Sequence, residues 1–219
     1  MSAPVFLGSA FVAQYPTGGG NFWVPLQYLL GLRATGVDAY WLELLWTRGD
    51  PARDREFIEV FCRHVEGAGV AERVVLVFFP DCSRNDPPGR AEYFGMAAAE
   101  LAARARDALL LNLAASVTLP LRVGFARTAL FDLDPGPFQI WAGQYDLGVG
   151  SHDVYLTIGQ NLGAPDSPVH VGDVAGAGLA RRAPARLARS QRRARDALHD
   201  RDPVVDEPVC VPRRRDLRL

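Results

Sequence analysis

The segment from Val5 to Asn21 reads Val-Phe-Leu-Gly-Ser-Ala-Phe-Val-Ala-Gln-Tyr-Pro-Thr-Gly-Gly-Gly-Asn, and it carries most of the information about the fold. Its first part, residues 5–12, is a short apolar run without helical period, and a turn-forming stretch with three glycines follows. Asn21 is a favourable N-cap for the apolar stripe that continues to Gly36. This order predicts a buried strand, a glycine loop and a helix.

The same alternation of strands and helices continues along the chain. Further apolar strands are predicted at residues 39–45, 73–79, 107–113, 129–133 and 154–158, and helices at 51–65, 90–106 and 138–142. Near-continuous apolar strands that alternate with helices indicate a parallel sheet covered on both faces. The sequence therefore predicts an α/β fold with a doubly wound, mostly parallel Rossmann-like sheet.

The regular pattern ends near Gly163, and the composition changes beyond it. No aromatic residue follows Tyr155, and about half of the 24 basic residues, all of them Arg, follow Gly178. Such a segment lacks the apolar mass needed to pack. We therefore predict a Rossmann-like lobe over residues 1–170 and a disordered, basic, Arg- and Pro-rich tail over residues 171–219.

Composition narrows the class of partner and the compartment. A net charge of −1 gives no general attraction to nucleic acid or to an anionic membrane. Cys62, Cys82 and Cys210 lie far apart, without the spacing of a zinc site. The start of the chain has no basic region of a secretory signal, and the most apolar stretch, 108–123, is too short to span a bilayer. We predict a cytoplasmic protein without metal, nucleic-acid partner or membrane span.

The first candidate ligand-binding residues are Gly18, Gly19, Gly20 and Asn21. In an open parallel sheet ligands bind beyond the carboxyl ends of the strands, where glycines let the backbone approach a ligand and a helix presents free N–H groups. The spacing is neither that of a dinucleotide fingerprint nor that of a P-loop. The alternative is that the glycines only form a tight turn.

Two later strand exits supply the other candidates. Asp134 and Gln139 follow the strand that ends near Asp132, and Gln139 and Trp141 offer a hydrogen bond and a stacking surface for a sugar. The alternative is that Asp134 caps the following helix and Trp141 lies in the core. Asn161 follows the last predicted strand, in a segment that is equally typical of a linker. No catalytic residue is assigned, and both His64 and His152 are interpreted as solvated or core residues.

Several short motifs occur in an order that resembles the N-terminal, acceptor-side lobe of bacterial glycosyltransferases with the two-lobed GT-B architecture. The similarity extends over residues 5–169. The motifs are Phe6-Leu-Gly, Tyr15-Pro-Thr-Gly-Gly-Gly-Asn-Phe-Trp, Leu26-Gln-Tyr-Leu-Leu-Gly-Leu-Arg, Trp41-Leu-Glu, Leu110-Leu-Asn-Leu, Leu133-Asp-Pro-Gly and Thr157-Ile-Gly-Gln-Asn-Leu-Gly.

The resemblance implies hexosyl transfer from a nucleotide-sugar to an acceptor hydroxyl. It implies that the first lobe shapes the acceptor site, with residues 18–21 facing the cleft, and that a second lobe binds the nucleotide-sugar. It implies no metal or other cofactor. The implied partners are therefore a small-molecule acceptor and a nucleotide-sugar.

The residues after Val169 do not match the donor-binding lobe of that family. With one choice of permitted codons, back-translation of residues 196–218 in a frame shifted by one nucleotide can give an aromatic, strand-like peptide that resembles the family's continuation. We therefore expect a truncated or frameshifted chain that is inactive alone. The alternative is a non-catalytic Rossmann-like module that binds a ligand or activates a partner.

Overall fold

The computed structural model describes residues 3–84, 89–160, 162 and 179–181. The strands of this part are β1 Val5–Ser9, β2 Ala39–Trp46, β3 Val74–Phe79, β4 Glu92–Phe94, β5 Leu109–Leu113, β6 Arg127–Asp132, β7 Val154–Thr157 and β8 Leu179–Arg181. The helices are α1 Gly19–Ala34, α2 Pro51–Gly67, α3 Ala98–Ala105, α4 Leu119–Arg122 and α5 Pro135–Ala142. Two short 3-10 turns cover Ala71–Arg73 and Val149–Ser151.

The strands form one sheet in the order β4-β3-β2-β1-β5-β6-β7-β8. Every neighbouring pair is parallel except β3 and β4. This confirms the predicted α/β, doubly wound and mostly parallel sheet. The chain lays β2 and β3 on one side of β1 and returns to lay β5 on the other side. The topological switch point therefore lies between β1 and β5, where open α/β sheets bind their ligands.

Apolar side chains alternate along the central strands and fill a core on each face of the sheet. Leu7 packs in the core that includes Trp41 of β2 and Phe61 of α2. Phe6 packs in the opposite core, against which Leu101 of α3 lies. Because successive strand side chains point to opposite faces, β1 needs apolar residues at both positions.

Helix α2 begins where the sequence predicts. Pro51 occupies the first turn, and the Asp50 side chain at the N-cap accepts hydrogen bonds from the N–H groups of Ala52 and Arg53 at 3.0 and 3.3 Å. A carboxylate at the N-cap and a proline just after it both match the free N–H groups of a helix start.

The first strand and the first helix differ from the prediction at their shared segment. β1 ends at Ser9 rather than near residue 12 because the N–H groups of Val12 and Ala13 turn to the side chain of Glu43. α1 begins at Gly19, with Gly18 at the N-cap, so Asn21 lies in the first turn and is not the N-cap. The Asn21 amide instead donates to the carbonyl of the preceding segment at Phe11, 3.4 Å away.

The helix predicted over residues 90–106 is wrong in its first half. Glu92–Phe94 is an edge strand that pairs antiparallel with β3, and the helix covers only Ala98–Ala105. Gly95 separates the two with a φ of +89°, and a Cβ at this position would clash with the carbonyl oxygen of Val74. The alanine-rich composition of residues 97–105 does not extend to the segment before Gly95, because the chain turns there in a conformation that only glycine fits.

Most of the predicted tail lies outside the described residues. The exception is Leu179–Arg181, which pairs parallel with β7. Across the ranges described above, no helix is both long enough and apolar enough to cross a bilayer.

Candidate functional site

A cavity of about 1100 Å³, called the main cavity below, opens beside the carboxyl end of β5. Its walls come from the segments after β3 and β5, from α4 and α5, and from the loop between α5 and β7. The lining residues are Arg84, Ala114, Ala115, Val117, Thr118, Arg122, Phe138, Trp141, Gln144, Tyr145, Asp146, Leu147, Gly148, Gly150 and Ser151. Because β5 borders the switch point, the main cavity lies where ligands bind in open α/β sheets.

The segment after β5 is shaped by a buried asparagine. Asn112 is 0% exposed; its Oδ1 accepts from the N–H of Val117 at 2.8 Å, and its Nδ2 donates to the carbonyl of the same residue at 3.0 Å. Between them, Ala114 and Ala115 adopt φ values of 50° and 55°. Non-glycine residues rarely enter this left-handed region, and such strain concentrates at ligand sites. The strained turn forms one wall of the main cavity.

The floor of the main cavity carries a buried guanidinium. Arg122 is 5% exposed, and its Nη2 donates to the Oγ of Ser151 at 2.8 Å. Its Nη1 donates to His152 at 2.6 Å and to the carbonyl of Gly148 at 3.4 Å. Its Nε finds no acceptor among the residues described. Burial lowers the pKa of Arg122, and the nearby Asp146 carboxylate opposes that change.

Both ring nitrogens of His152 contact polar groups of the site. Nδ1 lies 2.7 Å from the carbonyl oxygen of Gly148 and 2.8 Å from Nη1 of Arg122. Nε2 lies 2.6 Å from the same Nη1 and 3.0 Å from Nδ2 of Asn112. Burial, reinforced by the Arg122 charge, lowers the pKa of His152. A neutral imidazole keeps one ring nitrogen free to accept a hydrogen bond from the guanidinium.

Aromatic rings also line the main cavity. Trp141 and Tyr145 are 52% and 63% exposed, and Phe138 is buried; the N–H of Tyr145, three residues after the end of α5, donates to the carbonyl of Trp141 at 2.7 Å. Large exposed rings in a cavity wall are typical of ligand contacts rather than of cores. The alternative interpretation of Trp141 as a core residue is wrong.

A buried network holds α5, and with it Trp141, against the sheet. The Oδ2 of Asp132 accepts from the hydroxyls of Tyr155 at 2.7 Å and Thr157 at 3.0 Å. Gln139 of α5 donates from Nε2 to the Tyr155 hydroxyl at 3.0 Å. Burial raises the pKa of Asp132, although these hydrogen bonds oppose it. Gln139 thus acts as a positioning residue beneath the main cavity.

A second, smaller cavity of about 370 Å³ lies beside the predicted glycine segment and is called the glycine pocket below. It is bounded by the segment between β1 and α1 and by the second half of α2. Its lining residues are Val12, Tyr15, Pro16, Gly18, Gly19, Phe22, Trp23, Phe61, Arg63, His64, Gly67 and Ala68. The two cavities share no lining residue.

Buried Glu43 fixes the segment that borders the glycine pocket. Its Oε1 accepts from the N–H groups of Val12 and Ala13 at 2.8 and 3.0 Å, and its Oε2 accepts from Ser9 and, at 3.2 Å, from the indole of Trp41. Glu43 is 0% exposed. Burial raises the pKa of Glu43 to about 7, against the opposing effect of its hydrogen bonds.

The predicted binding residues do not meet at one place. Gly18 and Gly19 line the glycine pocket, whereas Gly20 and Asn21 line neither of the two cavities. Asp134 occupies the N-cap of α5, but its side chain makes no capping hydrogen bond. Gln139 is buried beneath the main cavity. Asn161 lies outside the described residues.

Arg122, Asn112 and Glu43 were not predicted as functional residues. Each stands as a polar residue inside an apolar run: Leu119-Pro-Leu-Arg-Val, Leu109-Leu-Leu-Asn-Leu and Ala39-Tyr-Trp-Leu-Glu-Leu-Leu-Trp. A polar side chain in such a run must find buried partners, and this is the signal that would have revealed all three.

Within the described ranges, no group of three or more His, Cys, Asp and Glu side chains is placed to hold a metal ion. Comparison of the chain with protein families, with curated proteins and with solved structures finds no match.

Proposed function

We propose that this chain is the acceptor-side lobe of a GT-B-type glycosyltransferase and that its main cavity receives the acceptor sugar. The observation that carries the proposal is the pair of exposed rings, Trp141 and Tyr145, in the wall of a cavity beside the switch point. The sequence resemblance to such lobes supports the same conclusion.

The lining of the main cavity suits a hexose. The apolar C–H face of a sugar packs on an aromatic ring, and its hydroxyls need hydrogen-bonding partners around the edge. Trp141 and Tyr145 supply the rings, and Gln144 and Ser151 supply polar groups in the same walls. A volume of about 1100 Å³ accommodates more than one sugar ring.

The role of such a lobe is to present a hydroxyl. In hexosyl transfer the acceptor hydroxyl gives its proton to a general base, and its oxygen forms a bond to the anomeric carbon while the bond from that carbon to the nucleotide diphosphate breaks. A rigid acceptor site lowers the barrier by holding this oxygen close to the anomeric carbon. The hydrogen bonds of Asp132 and Gln139, which hold α5 on the sheet, provide that rigidity.

The test is saturation-transfer NMR on the purified chain with methyl glucoside, methyl galactoside and methyl mannoside, and separately with UDP, GDP and dTDP. We expect saturation transfer to at least one hexoside and its loss in Trp141→Ala. Trp23→Ala is the matched control, because Trp23 is 43% exposed in the glycine pocket. This control should bind the hexoside as the unmodified chain does.

Either of two outcomes of this NMR experiment contradicts the proposal. One is binding of a nucleotide without binding of any hexoside, which favours a nucleotide-binding Rossmann-like protein. The other is hexoside binding that Trp23→Ala abolishes and Trp141→Ala spares, which moves the acceptor site to the glycine pocket.

A further inference from the structure

Arg122 is a buried cation without an ionic partner in the part of the chain described here. No described carboxylate oxygen lies within 4.0 Å of its guanidinium, whereas four other arginines make such pairs: Arg33, Arg73, Arg90 and Arg104. Its contacts are neutral groups, namely an imidazole, a hydroxyl and a carbonyl. An unpaired buried charge is costly unless another charge compensates it.

The position of Arg122 indicates where a compensating negative charge can bind. Arg122 lines the main cavity, and its Nε remains without an acceptor among the described residues. Arg122 stays charged although it is buried, because a guanidinium does not lose its proton in proteins. The Nε atom is itself buried, so the uncompensated charge lies in the wall of a space that a small molecule can enter.

A second guanidinium lines the same cavity. The Nη2 of Arg84 donates to the carbonyl of Ala115, another lining residue, at 2.8 Å, and its guanidinium lies 5.9 Å from the ring centre of Trp46. The acidic residue in the lining is Asp146, whose Oδ1 accepts from the N–H of Gly148 at 2.8 Å. Two guanidiniums and one carboxylate leave the described lining with a positive balance.

We infer that the main cavity contains a phosphate subsite formed by Arg122 and Arg84, and that its ligand is a phosphorylated small molecule. A phosphate group offers several oxygens and up to two negative charges, so it can satisfy two guanidiniums at once. The volume of about 1100 Å³ leaves room for an attached organic group beside the rings of Trp141 and Tyr145. This inference stands whether or not the organic group is a sugar.

The test is calorimetric titration of the full chain with inorganic phosphate, and with acetate at the same ionic strength. We expect saturable binding of phosphate and at least about tenfold weaker binding of acetate. Arg84→Gln, at an exposed position, should weaken phosphate binding about tenfold. Arg90→Gln is the matched control: Arg90 is paired with Glu92 outside the main cavity, and its loss should leave the affinity unchanged.

A gain of affinity tests the same subsite in the opposite direction, with a variant that keeps the Oδ1 acceptor for the N–H of Gly148. Asp146→Asn removes the carboxylate that competes for Arg122, and it should tighten phosphate binding about threefold. Arg122→Gln should abolish binding; if it does not fold, Arg84→Gln and Asp146→Asn decide. No phosphate binding by the unmodified chain would overturn the inference, as would equal binding of acetate or an affinity that neither decisive variant changes. Phosphate binding without hexoside binding would refute the acceptor-sugar proposal alone.

Discussion

The two strands that flank β1 each carry a buried polar side chain that binds backbone groups of a neighbouring loop, but the two side chains differ in chemistry. Glu43 on β2 holds the segment after β1 by accepting from the N–H groups of Val12 and Ala13. Asn112 on β5 holds the segment after β5 by binding both the N–H and the carbonyl of Val117. Each side chain is 0% exposed. The first shapes the glycine pocket and the second shapes the main cavity.

The difference between the two anchors is that only one of them titrates. Burial raises the pKa of Glu43 to about 7, so the carboxyl group that holds the segment beside the glycine pocket changes its charge near neutral pH. The Asn112 amide has no charge to lose, and it supports a strained turn whose geometry is independent of that equilibrium. A fixed wall suits a ligand site, because rigid groups lose less entropy on binding.

The largest effect is expected from pH at Glu43. The folded chain holds this proton more tightly than the unfolded chain, so its stabilising contribution is complete below pH 4.5 and is lost as pH rises through about 7. The expected loss is about 3 kcal/mol, from a rise in pKa of two to three units. Urea unfolding of the unmodified chain and of Glu43→Gln at pH 5 and pH 8 measures the difference. Equal pH dependence in both proteins would show that Glu43 is not the titrating group.

A smaller effect is expected from removal of the other anchor. Asn112→Ala leaves the N–H and carbonyl of Val117 without their partner, which should lower the free energy of unfolding by about 2 kcal/mol. Urea unfolding at pH 8, where the lowered pKa of His152 keeps its imidazole neutral, measures this loss. The variant should also bind phosphate more weakly. Unchanged stability together with unchanged affinity would show that Asn112 does not hold its segment in the way that Glu43 does.

The smallest effect is expected in the glycine segment itself. Gly19 lies in the first turn of α1, and a Cβ added there meets nothing within 4 Å. Gly19→Ala should therefore raise the free energy of unfolding by about 0.5 kcal/mol, because alanine loses less backbone entropy in a helix. Thermal unfolding measures the change, and ligand binding to the main cavity should be unaffected. A loss of binding would restore the glycine segment as the ligand site.

The fold was predictable because its information is local. Runs such as Val74–Phe79 are apolar throughout, and a buried parallel strand needs that pattern. The edge strand Glu92–Phe94 was missed because three residues are too few to show the alternation of apolar and polar side chains that indicates a strand. Its pairing with β3 is a tertiary contact that the local composition does not contain.

The candidate site was predictable only in part, for the same reason. Three consecutive glycines are visible in the sequence, and they led to the glycine pocket. The main cavity joins Arg84, Ala115, Arg122 and Gly148, which are far apart in the chain and meet only after the sheet has formed. Sequence reasoning identified Gln139 and Trp141 near this cavity because both follow a strand exit.

The choice between the two cavities can be measured in one experiment, a ¹H–¹⁵N NMR titration of the chain with inorganic phosphate. If the main cavity is the ligand site, the amides that shift belong to residues 114–118 and 144–151, and those of residues 18–23 and 61–68 stay unchanged. Shifts confined to residues 18–23 and 61–68, or no saturable shift at all, would contradict the assignment of the ligand site to the main cavity.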